Sequence, residues 1–119
     1  MKGNNMLTIE SLQKYGADTA DGLNRCLNNE GFYLGLVKKF AFENNTEKLA
    51  SAVSSGNLDE AFSLAHNLKG SSGNLGLTPL YGPISEMTDE LRIRRDIDYS
   101  GYLAEIQKKL EELRILCSD

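Results

Sequence analysis

The chain has no tryptophan, two prolines, two cysteines and a single histidine in its 119 residues. Each scarcity excludes something. Cys26 and Cys117 have neither metal-ligand spacing nor the density of a disulfide framework, so both read as reduced thiols of a cytoplasmic protein. No apolar run approaches the ~20 residues that span a bilayer. The N-terminal MKGNNMLTIE lacks the apolar core of a secretory signal. The formal net charge is −4 and no basic cluster occurs, which argues against a nucleic-acid partner. A Walker loop, a kinase signature and any other nucleotide motif are missing, so self-phosphorylation from ATP is not expected. Alternating strand patterns, internal repeats and low-complexity tracts are missing too.

What is present is ordinary in bulk. Hydrophobic residues make up 40% and charged residues 25%, the usual balance of a soluble globular domain, and the length suits one core rather than two. The periodic stretches all follow the helical repeat and are separated by glycine and asparagine. This is an all-α reading. We expect residues 1–6 to be a flexible lead-in and residues 7–119 a single helical domain.

Thr8 suits the cap of a short helix ending near Tyr15-Gly16, and Asp18 or Thr19 starts a second with Leu23, Cys26 and Leu27. These two either help form a docking surface or cover one end of the core. Asn28 or Asn29 caps the next helix. Tyr33, Leu36, Val37 and Phe40 form its apolar face, and Phe42, Leu49 and Val53 continue at another angle. The spacing predicts one long helix to about Ser55, bent or rotated near Asn44-Asn45-Thr46. Gly56 ends it, and Asn57 with Glu60 opens the following helix as a capping box. Thr78-Pro79 reads as a cap and first turn. Leu80, Ile84, Met87 and Leu91 make the stripe of that helix, with a kink or an irregular first turn expected at Gly82-Pro83. Asp96 or Asp98 starts the last helix, with Tyr102, Leu103, Ile106, Leu110, Leu113 and Cys117 inside. Four longer helices joined by short turns predict an up-and-down antiparallel four-helix bundle carrying one or two short N-terminal helices.

The informative stretch is AFSLAHNLKGSSGNLGL, from Ala61 to Leu77. Leu58, Ala61, Leu64, Ala65, Leu68 and Ser72 form one apolar-to-small stripe. At about 100° per residue His66 falls outside it, with Phe62, Lys69, Gly70 and Gly73 around the imidazole. Two glycines on one helical face each cost about 1 kcal/mol relative to alanine, so bare surface beside His66 serves a purpose. Imidazole is a nucleophile near neutral pH, and a lysine one turn on can hold an anion seated on the ring.

The run Ala65-His66-x-Leu68-Lys69-Gly70, followed by Asn74-Leu75-Gly76-Leu77, resembles the signature of histidine-containing phosphotransfer (HPt) domains of multistep phosphorelays. Gly22-Leu23-x-Arg25 is similar to the segment that precedes the bundle in many of them. The resemblance implies a cytoplasmic phosphoryl carrier rather than an autonomous enzyme. His66 would accept a phosphoryl group from a receiver-domain aspartyl phosphate and pass it to another receiver. Lys69 would stabilise the phosphoryl oxygens, and Gly70 and Gly73 would give the receiver access, with Phe62 as a docking contact. It implies no cofactor or metal on this chain, the Mg²⁺ belonging to the receiver. The partners would be receiver (response-regulator) domains, those of hybrid sensor kinases among them, met by a monomer. One departure stands out. Where the family often carries a glutamine on the next helix, bonding ring or phosphate, this chain has Thr88, a shorter candidate for that role. Arg92, Arg94 and Arg95 suit the negative end of that helix rather than a phosphate clamp. Two other readings stay open: a non-catalytic helical adaptor bundle, and the phosphoacceptor region of a sensor histidine kinase. Asn67, where the latter commonly has an acidic residue, speaks against it.

Overall fold

A computed structural model describes residues 7–118, and the expected lead-in at 1–6 lies outside them. The described residues form seven α-helices and no strand: α1 (Ile9–Tyr15), α2 (Thr19–Arg25), α3 (Glu30–Phe42), α4 (Asn45–Ser54), α5 (Leu58–Asn74), α6 (Thr78–Arg92) and α7 (Ser100–Cys117).

Local chemistry sets most of the starts. The Thr8 hydroxyl accepts from the Ser11 amide, and Ser11 Oγ accepts from the Thr8 amide, both at 2.9 Å, closing a reciprocal cap on α1. Asp18, Asn29 and Asn57 each accept from the amide three residues on and so cap α2, α3 and α5. Gly56, at φ +77°, takes the left-handed turn between α4 and α5 that a side chain would resist. Thr78 is the first helical residue of α6 rather than its cap, which is Leu77. α6 runs from Thr78 through Pro83, so no regular helix waits until Pro83 to begin. The proline lies early in the helix, where only the Pro79 carbonyl loses its partner.

The segment expected as one helix to Ser55 is two. Glu43 is extended at φ −73°, ψ 154°, and separates α3 from α4. A long-range group occupies the break: Arg114 of α7 donates from Nε to the Ala41 carbonyl at 2.7 Å and from Nη2 to Glu47 at 3.4 Å. That guanidinium satisfies an orphan carbonyl at the end of α3 and draws α4 toward α7. Phe42, the last residue of α3, is left exposed while Leu49 is buried.

α5 packs on α4 and, most extensively, on α6; α6 packs on α7, and α7 on α3 and α4, which closes the helical bundle. The small residues Ala61, Ala65 and Ser72 on the inner face of α5 are buried and permit the close approach of α6. Leu80, Ile84, Met87 and Leu91 face them from α6, all fully buried, and Ile106, Leu110 and Leu113 complete the core from α7. Truncating one of these leucines to alanine costs about 2–5 kcal/mol in such a setting. α1 lies on α7, where the Tyr15 hydroxyl donates to the Lys109 carbonyl at 2.8 Å. Burial, with Glu112 and Cys117 adding to it, raises the Tyr15 pKa well above the usual phenol value.

α2 is fastened more tightly than its length suggests. Tyr33 of α3 is fully buried and donates from its hydroxyl to the Leu75 carbonyl at 2.8 Å. Gly22 lets α2 slide into this junction, since a Cβ there would lie 2.5 Å from Tyr33 Cε1 and 2.8 Å from the Leu75 oxygen. The Asp18 amide donates to the Gly76 carbonyl at 2.7 Å. Gly76, at φ +66°, is the turn where a side chain would collide with the Asp18 carbonyl. The short helix is thus bound to the C-terminal end of α5 by one backbone hydrogen bond and two close backbone approaches, and Tyr33 of α3 bonds to the same end.

Candidate functional site

α5 presents His66 from mid-helix. Ala65 and Leu68 on either side of it in sequence are buried, and a 3.6-residue period turns position 66 outward, where it is exposed. One turn earlier, the Phe62 ring lies 5.8 Å from the imidazole, centroid to centroid, inclined at 31°. One turn later stand Lys69 and Gly70. Gly70 is exposed, and a Cβ there would meet nothing within 4 Å. Lys69 makes no ion pair among the described residues.

From His66 an open recess of about 450 Å³ runs along α5 toward its C-terminus. Lys69, Gly70, Gly73 and Asn74 form its α5 wall, Thr78 and Tyr81 the side toward α6, and Asp18, Asp21 and Arg25 the side toward α2. Gly73 plays a different part from Gly70. A Cβ at Gly73 would come within 3.1 Å of the Tyr81 ring, so the space left by the missing side chain is filled from α6. The expectation that both glycines leave bare surface holds at Gly70 and is corrected at Gly73.

Thr88 is set apart from all of this. It lies four residues after Ile84 on the core stripe of α6, is fully buried, and donates its hydroxyl to the Ile84 carbonyl at 2.7 Å. With its one proton spent on its own helix and no exposure, Thr88 does not reach the imidazole. The role expected from the family glutamine is therefore not available to it.

Phe62 carries the arginines from the end of α6, with the Arg94 and Arg92 guanidinium carbons 4.8 and 5.4 Å from its ring centroid. Arg94 also donates to the Leu91 and Arg92 carbonyls at 3.0 Å and to Asp59 at 2.7 Å, which caps α6 and ties it to α5. Neither arginine lines the recess. Their structural reading stands.

Among the recess residues that were not legible as such in the sequence are Asp21, Arg25 and Tyr81. Arg25 is half-exposed and donates from Nε to Asp21 at 3.0 Å and from Nη1 to Asn74 at 3.4 Å. The only signal for it was the Gly22-Leu23-x-Arg25 run, which says nothing of where α2 docks. Among the described residues no group of three or more His, Cys, Asp or Glu side chains is arranged to hold a metal ion. Nor is any described helix long and apolar enough to cross a membrane.

Chemically, the arrangement offers one accessible ring nucleophile, one cation a turn away, and helix surface without side chains on the approach. A comparison with family models matches residues 41–115 to the Hpt domain, which takes in α4 to α7 and leaves out α1, α2 and nearly all of α3. No curated protein and no solved structure matches the chain.

Proposed function

The chain belongs to the Hpt domain family, whose members carry phosphoryl groups on histidine in phosphorelays, and from that premise we propose that His66 is the phosphoacceptor. The observation that carries the reading is the placement of the sole histidine: exposed at mid-helix, beside Lys69 and the open surface at Gly70. His66 Nε2 attacks the phosphorus of a receiver domain's aspartyl phosphate. A P–N bond forms, the P–O bond to the acyl group breaks, and its electron pair leaves with the aspartate carboxylate. The proton on Nδ1 stays in place. Transfer onward to a second receiver is the same step reversed, and the phosphoramidate and acyl phosphate are both high-energy species.

Lys69 offsets charge on the phosphoryl oxygens in flight, a task that needs position rather than proton transfer. The bare helix at Gly70 lets the receiver's active site close over the ring. The acidic pocket and its Mg²⁺ are the receiver's contribution, and this chain acts as a carrier with no ATP site. Incubation with a phosphorylated receiver tests the reading. Wild-type protein should take up label that is stable in alkali and lost in acid, and His66→Gln should take up none. Equal labelling of the two would put the phosphoryl group on another residue, and labelling of neither would leave an adaptor bundle; either result removes the phosphoacceptor role of His66. Label acquired from ATP alone would contradict the carrier assignment.

A further inference from the structure

Arg25 poses a question of distance. Its anchor on α5, Asn74, lies eight residues beyond His66, or about 12 Å along the helix at 1.5 Å per residue. That is too far for the guanidinium to touch a phosphoryl group on the ring. It is well inside the area a protein partner covers. An interface of standard size buries about 800 Å² on each side, a disc of roughly 16 Å radius. Any protein able to bring an aspartyl phosphate to His66 therefore also covers the recess and its α2 wall.

The chemistry of the recess says what that partner should present. Both of its carboxylates are engaged internally: Asp18 Oδ1 accepts from the Asp21 amide at 3.2 Å and Asp21 Oδ2 accepts from Arg25 at 3.0 Å. Each carboxylate keeps one oxygen without a partner, and the charged donors left uncommitted among the described residues are the Nζ of Lys69 and the Nη2 of Arg25. The guanidinium is also held in place, by Asp21 on its own helix and by Asn74 across the junction, so little side-chain freedom is lost when it binds. α2 in turn cannot drift, because the Gly22, Gly76 and Tyr33 contacts fix it to the end of α5.

We propose that α2, which lies outside the family match, is the far wall of the receiver-docking surface, and that Arg25 selects among receivers by taking a carboxylate that the partner presents at the rim of the recess. This rests on the phosphoacceptor role of His66, and the experiment separates the two. A panel of phosphorylated receiver domains is screened against the wild-type protein, and the fastest donor is carried forward. Its transfer to His66 is then measured across receiver concentrations for Arg25→Ala, Arg25→Glu and Arg25→Lys. Labelling by the small donor phosphoramidate, which has no surface to rest on α2, runs alongside.

Arg25→Ala should raise the half-saturating receiver concentration by about 5- to 30-fold, the range for truncating an interface arginine. The rate at saturation should hold, and phosphoramidate labelling should be unchanged. Arg25→Glu should lose more and alter the order of preference across the panel, and Arg25→Lys should recover part of the loss. The exposed Arg25–Asp21 pair contributes little to stability, so helicity and melting should stay close to wild type. Wild-type concentration dependence for Arg25→Ala would overturn the selecting role and leave His66 untouched. An equal fall with phosphoramidate would assign Arg25 to the structure of the site instead. If no receiver labels the wild-type protein, the phosphoacceptor reading itself fails and this inference falls with it.

Discussion

Replacing Gly70 by alanine puts a methyl group into open space on α5, since nothing lies within 4 Å of the position its Cβ would take. The fold has only the helix term to register. Alanine at an exposed helical site is favoured over glycine by about 1 kcal/mol, and in a domain of this size that raises the melting temperature by about 3–6 °C. The site should respond in the opposite direction. If the receiver closes onto the bare backbone one turn from His66, the methyl group holds it back by something near 1 Å, and a misplacement of that size costs on the order of 100-fold in rate. A variant more stable and slower than wild type is thus the expected result, and a bulkier side chain at Gly70 should hold the stability and deepen the loss of transfer. Urea unfolding followed by helical circular dichroism gives the first quantity, and a time course of label passing from a phosphorylated receiver gives the second. Gly22→Ala is the contrasting control. Its Cβ would lie 2.5 Å from Tyr33 Cε1, 2.7 Å from the Tyr33 hydroxyl and 2.8 Å from the Leu75 carbonyl oxygen, all too close to be borne. Overpacking and loss of the buried Tyr33–Leu75 bond outweigh the same gain in helix propensity, for a net loss of roughly 2–3 kcal/mol. Two glycine-to-alanine changes of opposite sign would support the packing described here. Destabilisation at Gly70, or wild-type transfer by Gly70→Ala, would refute the clearance argument.

Burial pushes the Tyr33 phenol up to about 12, with Cys26, Asp18 and Asp21 adding to the shift. The unfolded chain then releases this proton first as pH rises, so stability should be level below about pH 10 and fall between about pH 10 and 12. Tyr15 adds to the same fall. A urea midpoint unchanged from pH 9 to 12 would contradict the burial of these rings. Thr88→Val keeps the shape and removes a hydroxyl that bonds only its own helix, so transfer to His66 should match wild type, with stability altered by no more than about 1.5 kcal/mol, the net worth of one such hydrogen bond. A severalfold slower transfer would place Thr88 at the site after all. Leu27 holds a left-handed backbone at φ +58° with 88% of its surface exposed. Leu27→Gly relieves that conformation without uncovering a core and should gain about 0.5–1 kcal/mol in denaturant unfolding, and a loss there would mean the leucine packs in solution.

Much of this protein was legible in one dimension because helices are made by neighbours. The caps at Thr8, Asn29 and Asn57, the stop at Gly56, and the stripe of Ala61, Ala65, Leu68 and Ser72 follow from residues three or four apart. The same period turned His66 outward and set Lys69 and Gly70 beside it. On α6 the same period puts Thr88 inside, four residues from Ile84.

What distant residues do to one another could not be read that way. Arg114 lies 73 residues from the Ala41 carbonyl it satisfies, so the break between α3 and α4 waits on α7 being in place. Tyr33 and Leu75 are 42 apart, and their hydrogen bond, with Gly22 drawn in against it, brings α2 and Arg25 to the recess. Tyr81 fills the gap at Gly73 from another helix. His66, the proposed phosphoacceptor, shares one turn of helix with Lys69 and Gly70, and all three were visible in the string of letters. The wall that a partner would meet is assembled from α2, α5 and α6, and only packing brings those three together.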